Sequence, residues 1–174
     1  MSDKAKVTVP AFRLSKGSRR LSMVTAYDTP SALACDGAGI DAILVGDSLG
    51  MVILGHPSTL PVTMEDMVHH LRAVRSGVHR ALLIADMPYL SYHVSLEDSI
   101  RNAGRMVQEG GAEAVKIEGG KKRIPVIRAL QDAEIPVMGH LGLTPQSVHA
   151  LGGCRVPGRK TGSAAPFVEA AVAF

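Results

Sequence analysis

Five short apolar runs, spaced between amphipathic segments, set the tightest limit on what this chain can fold into. They are "SMVTAYD" (22–28), "AILVGD" (42–47), "ALLIAD" (81–86), "AEAVKIEGG" (112–120) and "IPVMGH" (135–140). Each is of strand length and rich in aliphatic residues. Most are near-continuously apolar, not alternating, as in parallel strands covered on both faces.

The segments between them carry helical patterns. Met64, Met67, Val68, Leu71 and Val74 fall on one helical face, with Thr63 and Asp66 spaced as a capping box before them. Ser95 and Asp98 repeat that signal ahead of Ile100, Ala103, Met106 and Val107, and Gly110-Gly111 marks the stop. Thr144-Pro145 fits an N-cap with proline at the first helical position, and 166–174 reads as the start of a further helix. The stretch 152–166, rich in Gly, Pro and basic residues, reads as a loop within one domain spanning 1–174.

Strict alternation of strand and helix implies a parallel sheet with helical crossovers. Asp47, Asp86 and Glu118 end three of the runs and lie 39 and 32 residues apart. An eight-unit barrel of about 250 residues needs roughly 31 per unit. The expected fold is therefore α/β, of the (β/α)8 TIM-barrel type, with about five βα units present. An open doubly wound sheet is the alternative, but no Gly-x-Gly-x-x-Gly follows the first run.

Composition narrows the function classes. Three Phe, three Tyr and no Trp leave an aliphatic core. The net charge of +3 is concentrated in residues 1–20, where Lys4, Lys6, Arg13, Lys16, Arg19 and Arg20 face only Asp3. No aromatic residues are interleaved for base stacking and no nucleic-acid motif follows, so this segment reads as a solvated basic extension. No apolar run reaches about 18 residues, so no membrane span is expected. Cys35 and Cys154 match no metal spacing and read as reduced thiols of a cytoplasmic protein.

The polar residues that close the runs are Tyr27-Asp28, Asp47-Ser48, Asp86, Glu118 and His140. In a parallel barrel the C-terminal strand ends share one face, where catalytic groups collect. Each carboxylate also has a local reading: Asp47 and Asp86 as turn caps, Glu118 as a solvated strand end. Together at one mouth they repel one another unless a cation sits among them, and oxygen ligands favour a hard ion such as Mg²⁺. Lys116 lies two residues before Glu118, on the same strand face. It either snorkels to solvent or faces the acidic site and a bound anion. Among the histidines, His140 is a candidate to line the pocket and His56 is open. His69, His70, His79, His93 and His149 read as surface or loop residues, and Arg72, Arg75, Arg101 and Arg105 as solvated helix faces.

The motifs "VTAYD", "ILVGDSLGMVILGHPSTLPVTMEDM", "LLIADMPYLSY", "AVKIEGG", "IPVMGHLGLTPQSV" and "LGGCRV", in this order over about residues 20 to 158, resemble the ketopantoate hydroxymethyltransferase family. The resemblance implies a metal-dependent (β/α)8 barrel. Its reaction moves a hydroxymethyl group from 5,10-methylenetetrahydrofolate to the α-keto acid 3-methyl-2-oxobutanoate, giving 2-dehydropantoate for pantothenate biosynthesis. It further implies that Asp47 and Asp86 bind Mg²⁺ or another divalent ion, with Glu118 beside it, directly or through water. Ser48 and Lys116 would contact the keto acid together with Asp47 and Asp86, and Tyr27 and His140 would line the pocket. Homo-oligomers, often decamers, are the family expectation.

Two departures accompany the resemblance. The family's general base is a Glu at the end of a later strand, and no residue of 1–174 matches it, Glu169 included. The chain therefore reads as a barrel truncated at its C-terminus. Pro157 also stands where the family usually has Gln. Two alternatives follow: a related metal-dependent α-keto-acid lyase or mutase, or an incomplete, non-catalytic fragment.

Overall fold

A computed structural model describes residues 5–153, 158 and 161–173. Five strands, β1 (Met23–Thr25), β2 (Ala42–Val45), β3 (Leu82–Asp86), β4 (Ala114–Glu118) and β5 (Val137–His140), form one sheet. All neighbours are parallel and the spatial order is the chain order. A doubly wound sheet reverses its order at a switch point. This one does not, so the barrel-type winding is the one observed. The five described strands do not close on themselves, and β1 and β5 are the outer pair.

Helices α2 (Thr29–Gly37), α4 (Met64–Arg75), α5 (Leu96–Gln108) and α6 (Ile124–Asp132) connect successive strands. They cover one face of the sheet. Ile43, Val45, Leu83, Ala85, Val115 and Ile117 point into that layer and meet Met67, Leu71, Val74, Met106 and Leu130. Burying a side chain such as Leu71 fully contributes about 1.5–3 kcal/mol. Gly110 is required here: a Cβ would stand 2.8 Å from Leu71 Cδ1.

The strand residues of opposite parity face inward. Ala42, Leu82, Ile84 and Ala114 form a second, smaller cluster with Val7, flanked by Val9 and Phe12. Above it on the same parity come Asp86, Lys116 and Glu118. The inner face is thus apolar at its base and ionisable at the C-terminal strand ends.

The local signals hold at α4 and α5. Thr63 Oγ1 accepts from Asp66 N while Asp66 Oδ2 accepts from Thr63 N, completing the capping box of α4. Ser95 caps α5 through Asp98 N, and Gly111 takes φ +73° beyond the end of that helix.

Three expectations need correction. The basic segment is not simply solvated. Helix α1 (Val9–Leu14) packs on the inner cluster, Val7 is buried, Lys6 Nζ reaches Ala81 O and Glu113, and Arg19 clamps Asp41 bidentately. Two of its charges, Lys6 and Arg19, are matched by acids on the base of the sheet, which no local pattern reveals, while Arg13, Lys16 and Arg20 are exposed as expected. Thr144 does hold an N-cap position with Pro145 first in the element it opens, but that element is a 3₁₀ turn and Thr144 makes no side-chain cap. The turn, Pro145–Ser147, intervenes before the short α7 (Val148–Leu151). The last helix, α8 (Thr161–Ala173), starts ahead of Pro166 and contains it. Cys154 and Pro157 lie outside the described residues.

Candidate active site

The strand register sets the constellation. Asp86 on β3 stands beside Lys116 on β4, and Glu118 stands beside His140 on β5. Asp47 lies just past β2, ahead of the short helix α3 (Leu49–Val52). All three carboxylates are buried, Asp47 to 4% exposure, Asp86 and Glu118 to 5%. Neither Asp47 nor Asp86 caps its turn through its side chain. Asp28 does so instead, accepting from Ser31 N at the start of α2, and it takes no part in the site.

Each carboxylate has one oxygen held by a protein donor. Lys116 Nζ donates to Asp86 Oδ1. Gln146 Nε2 donates to Asp47 Oδ2 at 2.8 Å, and the backbone N–H of Gln146 donates to Glu118 Oε2 at 3.1 Å. Among the described residues, Asp47 Oδ1, Asp86 Oδ2 and Glu118 Oε1 receive no hydrogen bond. His140 Nδ1 comes within 3.3 Å of Glu118 Oε1 but lacks hydrogen-bond alignment. Lys116 is itself buried, so the snorkelling reading fails and its charge is committed to the acidic site.

Burial pushes the Asp47 carboxyl up to about 6, with the Asp86 charge adding to the push and the Gln146 amide opposing it. Burial likewise raises Asp86, against the pull of the Lys116 ammonium. Taking a carboxylate out of water disfavours its charged form unless positive charge compensates. One ammonium serves three carboxylates here, so the mouth has room for further positive charge. No three His, Cys, Asp or Glu side chains among the described residues gather closely enough to cage a metal ion by themselves. Mg²⁺ commonly needs only one or two carboxylates, with waters and substrate oxygens completing its shell. The free oxygens fit that requirement.

Around the acids, Tyr27 Oη and Ser48 Oγ share a hydrogen bond of 2.9 Å. His70 Nδ1–H donates to the Tyr27 carbonyl at 2.7 Å, so His70 is a brace for this edge and not a free surface residue. Gly46 leaves the space that Ser48 fills: a Cβ there would stand 2.7 Å from Ser48 Oγ. His69, His79 and His149 are exposed, as expected. His93 is half-buried against Tyr92, and burial together with Arg123 pushes it down to about 4. Arg72, Arg101 and Arg105 pair with Glu109, Asp98 and Glu65 on the helix faces.

Two residues of the site carry no local signal. Gln146 is visible in sequence only as part of "LTPQS", and Tyr92 only as part of "PYLSY". Both are buried, and they join the ends of three strands.

With this geometry, the comparisons with known proteins are direct. Residues 6–174 match the family described as ketopantoate hydroxymethyltransferase. The chain is 53% identical over 180 residues to the 3-methyl-2-oxobutanoate hydroxymethyltransferase of Moorella thermoacetica, covering 99% of this chain and 67% of the relative. It is 57% identical over 162 residues to that of Pelobacter propionicus, covering 92% of this chain and 60% of the relative. The chain thus spans about three-fifths to two-thirds of the length of these relatives. Among solved structures it resembles a 2,3-dimethylmalate lyase of the PEP mutase/isocitrate lyase superfamily (TM-score 0.64, 17% identity, 98% of this chain and 59% of that one). It also resembles a phosphonopyruvate hydrolase solved with oxalate and Mg²⁺ (TM-score 0.60, 17% identity, 83% and 54%). At such identity these structures speak for the fold alone.

Proposed function

The chain belongs to the ketopantoate hydroxymethyltransferase family, and on that premise we propose that it serves hydroxymethyl transfer from 5,10-methylenetetrahydrofolate to 3-methyl-2-oxobutanoate, yielding 2-dehydropantoate. The observation that carries this reading is the set of three buried carboxylates, each held by one oxygen and free at the other, beside a buried lysine.

Asp47 and Asp86 are the proposed ligands of a hard divalent cation, with Glu118 beside it. Mg²⁺ is the ion that best matches an all-oxygen donor set. Once bound, such an ion supplies Lewis acidity toward the keto oxygen of the substrate, which acidifies the hydrogen on C3. The protein's part is to hold and orient. Lys116 fixes Asp86 and offers positive charge to the substrate carboxylate. Ser48, held by Tyr27, offers a hydroxyl at the edge of the mouth, and His140 closes the side next to Glu118. Orientation of keto acid and folate at one mouth lowers the entropic cost of joining them. The C3 proton is assigned to a base outside this set, since Asp47 and Asp86 hold the cation, Glu118 stands beside it and Lys116 is paired with Asp86.

Among the described residues no helix is long and apolar enough to cross a membrane. A cytoplasmic location and self-association belong to the same reading. The exposed run Met51, Val52, Ile53 and Leu54 supports the latter as apolar surface beside the site.

The test is product analysis. The protein is mixed with Mg²⁺, 3-methyl-2-oxobutanoate and 5,10-methylenetetrahydrofolate, and products are followed by NMR. Formation of 2-dehydropantoate that disappears in Asp47→Ala is expected. Carbon–carbon cleavage without folate consumption, or transfer indifferent to Asp47, overturns the reading.

A further inference from the structure

Tyr92 and Gln146 form a buried chain of hydrogen bonds whose direction is fixed. The backbone N–H of Glu118 donates to Tyr92 Oη at 3.1 Å. The tyrosine proton must then point elsewhere; Gln146 Oε1 at 2.6 Å is much nearer than the Glu118 carbonyl at 3.5 Å and receives it. That contact orients the amide, so Nε2 faces Asp47 Oδ2 at 2.8 Å and the Met87 carbonyl at 2.9 Å. A flipped amide would set an oxygen against two acceptors and leave the tyrosine proton only the long contact to the Glu118 carbonyl. The Gln146 backbone N–H is spent as well, on Glu118 Oε2.

One residue from the loop after β5 therefore ties together the ends of β2, β3 and β4. Tyr92 is 1% exposed and Gln146 6%, so water does not compete for these bonds. The Tyr92 ring is wedged by His93, with ring centres 4.2 Å apart, and by the Arg123 guanidinium 5.4 Å from its centre.

We infer that Gln146, with its amide oriented by Tyr92, is a positioning residue that holds the Asp47 carboxylate with Oδ1 turned to the ligand while it anchors Glu118. This deepens the proposed cation site and rests on that reading. Gln146 meets substrate and ion only through Asp47 and Glu118. Groups that steer metal ligands in this way typically affect affinity by about 10–100-fold.

The test uses the whole 174-residue chain, ¹⁵N-labelled, with Tyr92→Phe, Gln146→Glu and Asp47→Asn variants. The chain has three glutamines and one asparagine, so only four side-chain amide pairs are to be assigned. Without metal, the Gln146 pair should exchange with solvent at least about tenfold more slowly than the other glutamines, and Tyr92→Phe should abolish that protection. An unprotected Gln146 pair, or one indifferent to Tyr92→Phe, overturns the inference. Mn²⁺ binding, read from the free-ion EPR signal, should weaken about tenfold or more in Tyr92→Phe and in Gln146→Glu. Gln146→Glu keeps the shape and loses the donor, so a packing role predicts parental affinity there, and that result also overturns the inference. Mn²⁺ affinity unchanged by Asp47→Asn refutes the cation site instead, and the amide spectrum then decides the positioning role alone.

Discussion

Replacing Lys116 by methionine leaves Asp86 buried and unpaired, and the consequence is a stability gap that depends on pH. In the parent the Lys116 side chain is 11% exposed and that of Asp86 7%, so the pair is out of water. Breaking a buried pair on one side costs about 3–5 kcal/mol. Methionine fills the stem's volume, and its apolar burial returns roughly 1 kcal/mol. A net loss of about 2–4 kcal/mol is expected at pH 7.

The sign follows from linkage. Burial already raises Asp86 above its ordinary value, and the substitution removes the charge that opposes the rise. Between the unfolded value of about 3.9 and the raised folded value, the folded state binds more protons than the unfolded one. Stability of the variant therefore falls as pH rises, by at most about 1.4 kcal/mol per pH unit. The gap therefore narrows as pH falls toward the unfolded value of about 3.9, where protonation removes the variant's unpaired charge. The assay is urea unfolding followed by circular dichroism, since the chain has no Trp, at pH 4, 5, 6 and 7 in EDTA. A gap that is flat across this range refutes the reasoning. The double variant Asp86→Leu/Lys116→Met should return close to parental stability, because both desolvated charges are gone.

Other expectations are more local. Gly46→Ala should displace Ser48 from Tyr27 and weaken keto-acid binding about tenfold, a typical cost for losing one oriented contact of about 1.4 kcal/mol, with little change in the unfolding midpoint; equal affinity in calorimetry contradicts it. Asp41 is held well below the usual carboxylate range by Arg19, helped by Ser22, so its contribution is complete above about pH 4 and is lost as pH falls toward the folded value. Asp41→Asn should therefore cost about 1.5–3 kcal/mol at pH 7, with a gap that stays flat above pH 5 and closes below 4. Acid titration of both proteins reads this window, which lies below that of Lys116→Met.

The parts of this molecule legible in its sequence are those written in consecutive residues. An apolar run stopped by a carboxylate is local, so the strands and Asp47, Asp86 and Glu118 were accessible. The capping box at Thr63 and Asp66 spans three positions and was accessible for the same reason. Gln146 acts on Asp47 across 99 residues and on Met87 across 59, so no spacing rule reaches it. Arg19 meets Asp41, and Lys6 meets Glu113, only once the winding of the sheet brings the segments together. These two N-terminal charges consequently read as solvated, although the fold matches them. Asp28 and Asp47 look alike in sequence, each following a strand. Asp28 is drawn to the N–H groups opening α2, while Asp47 meets the Gln146 side chain instead.

The most direct test of the central claim is a calorimetric titration of 3-methyl-2-oxobutanoate into the protein with Mg²⁺ and with EDTA, repeated with Asp47→Asn. The account predicts binding in the presence of Mg²⁺ that is lost in EDTA and weakened at least about tenfold in the variant, the loss expected when one hydrogen-bonded charge is removed. Keto-acid binding of equal strength in EDTA, or unaltered by Asp47→Asn, would contradict it.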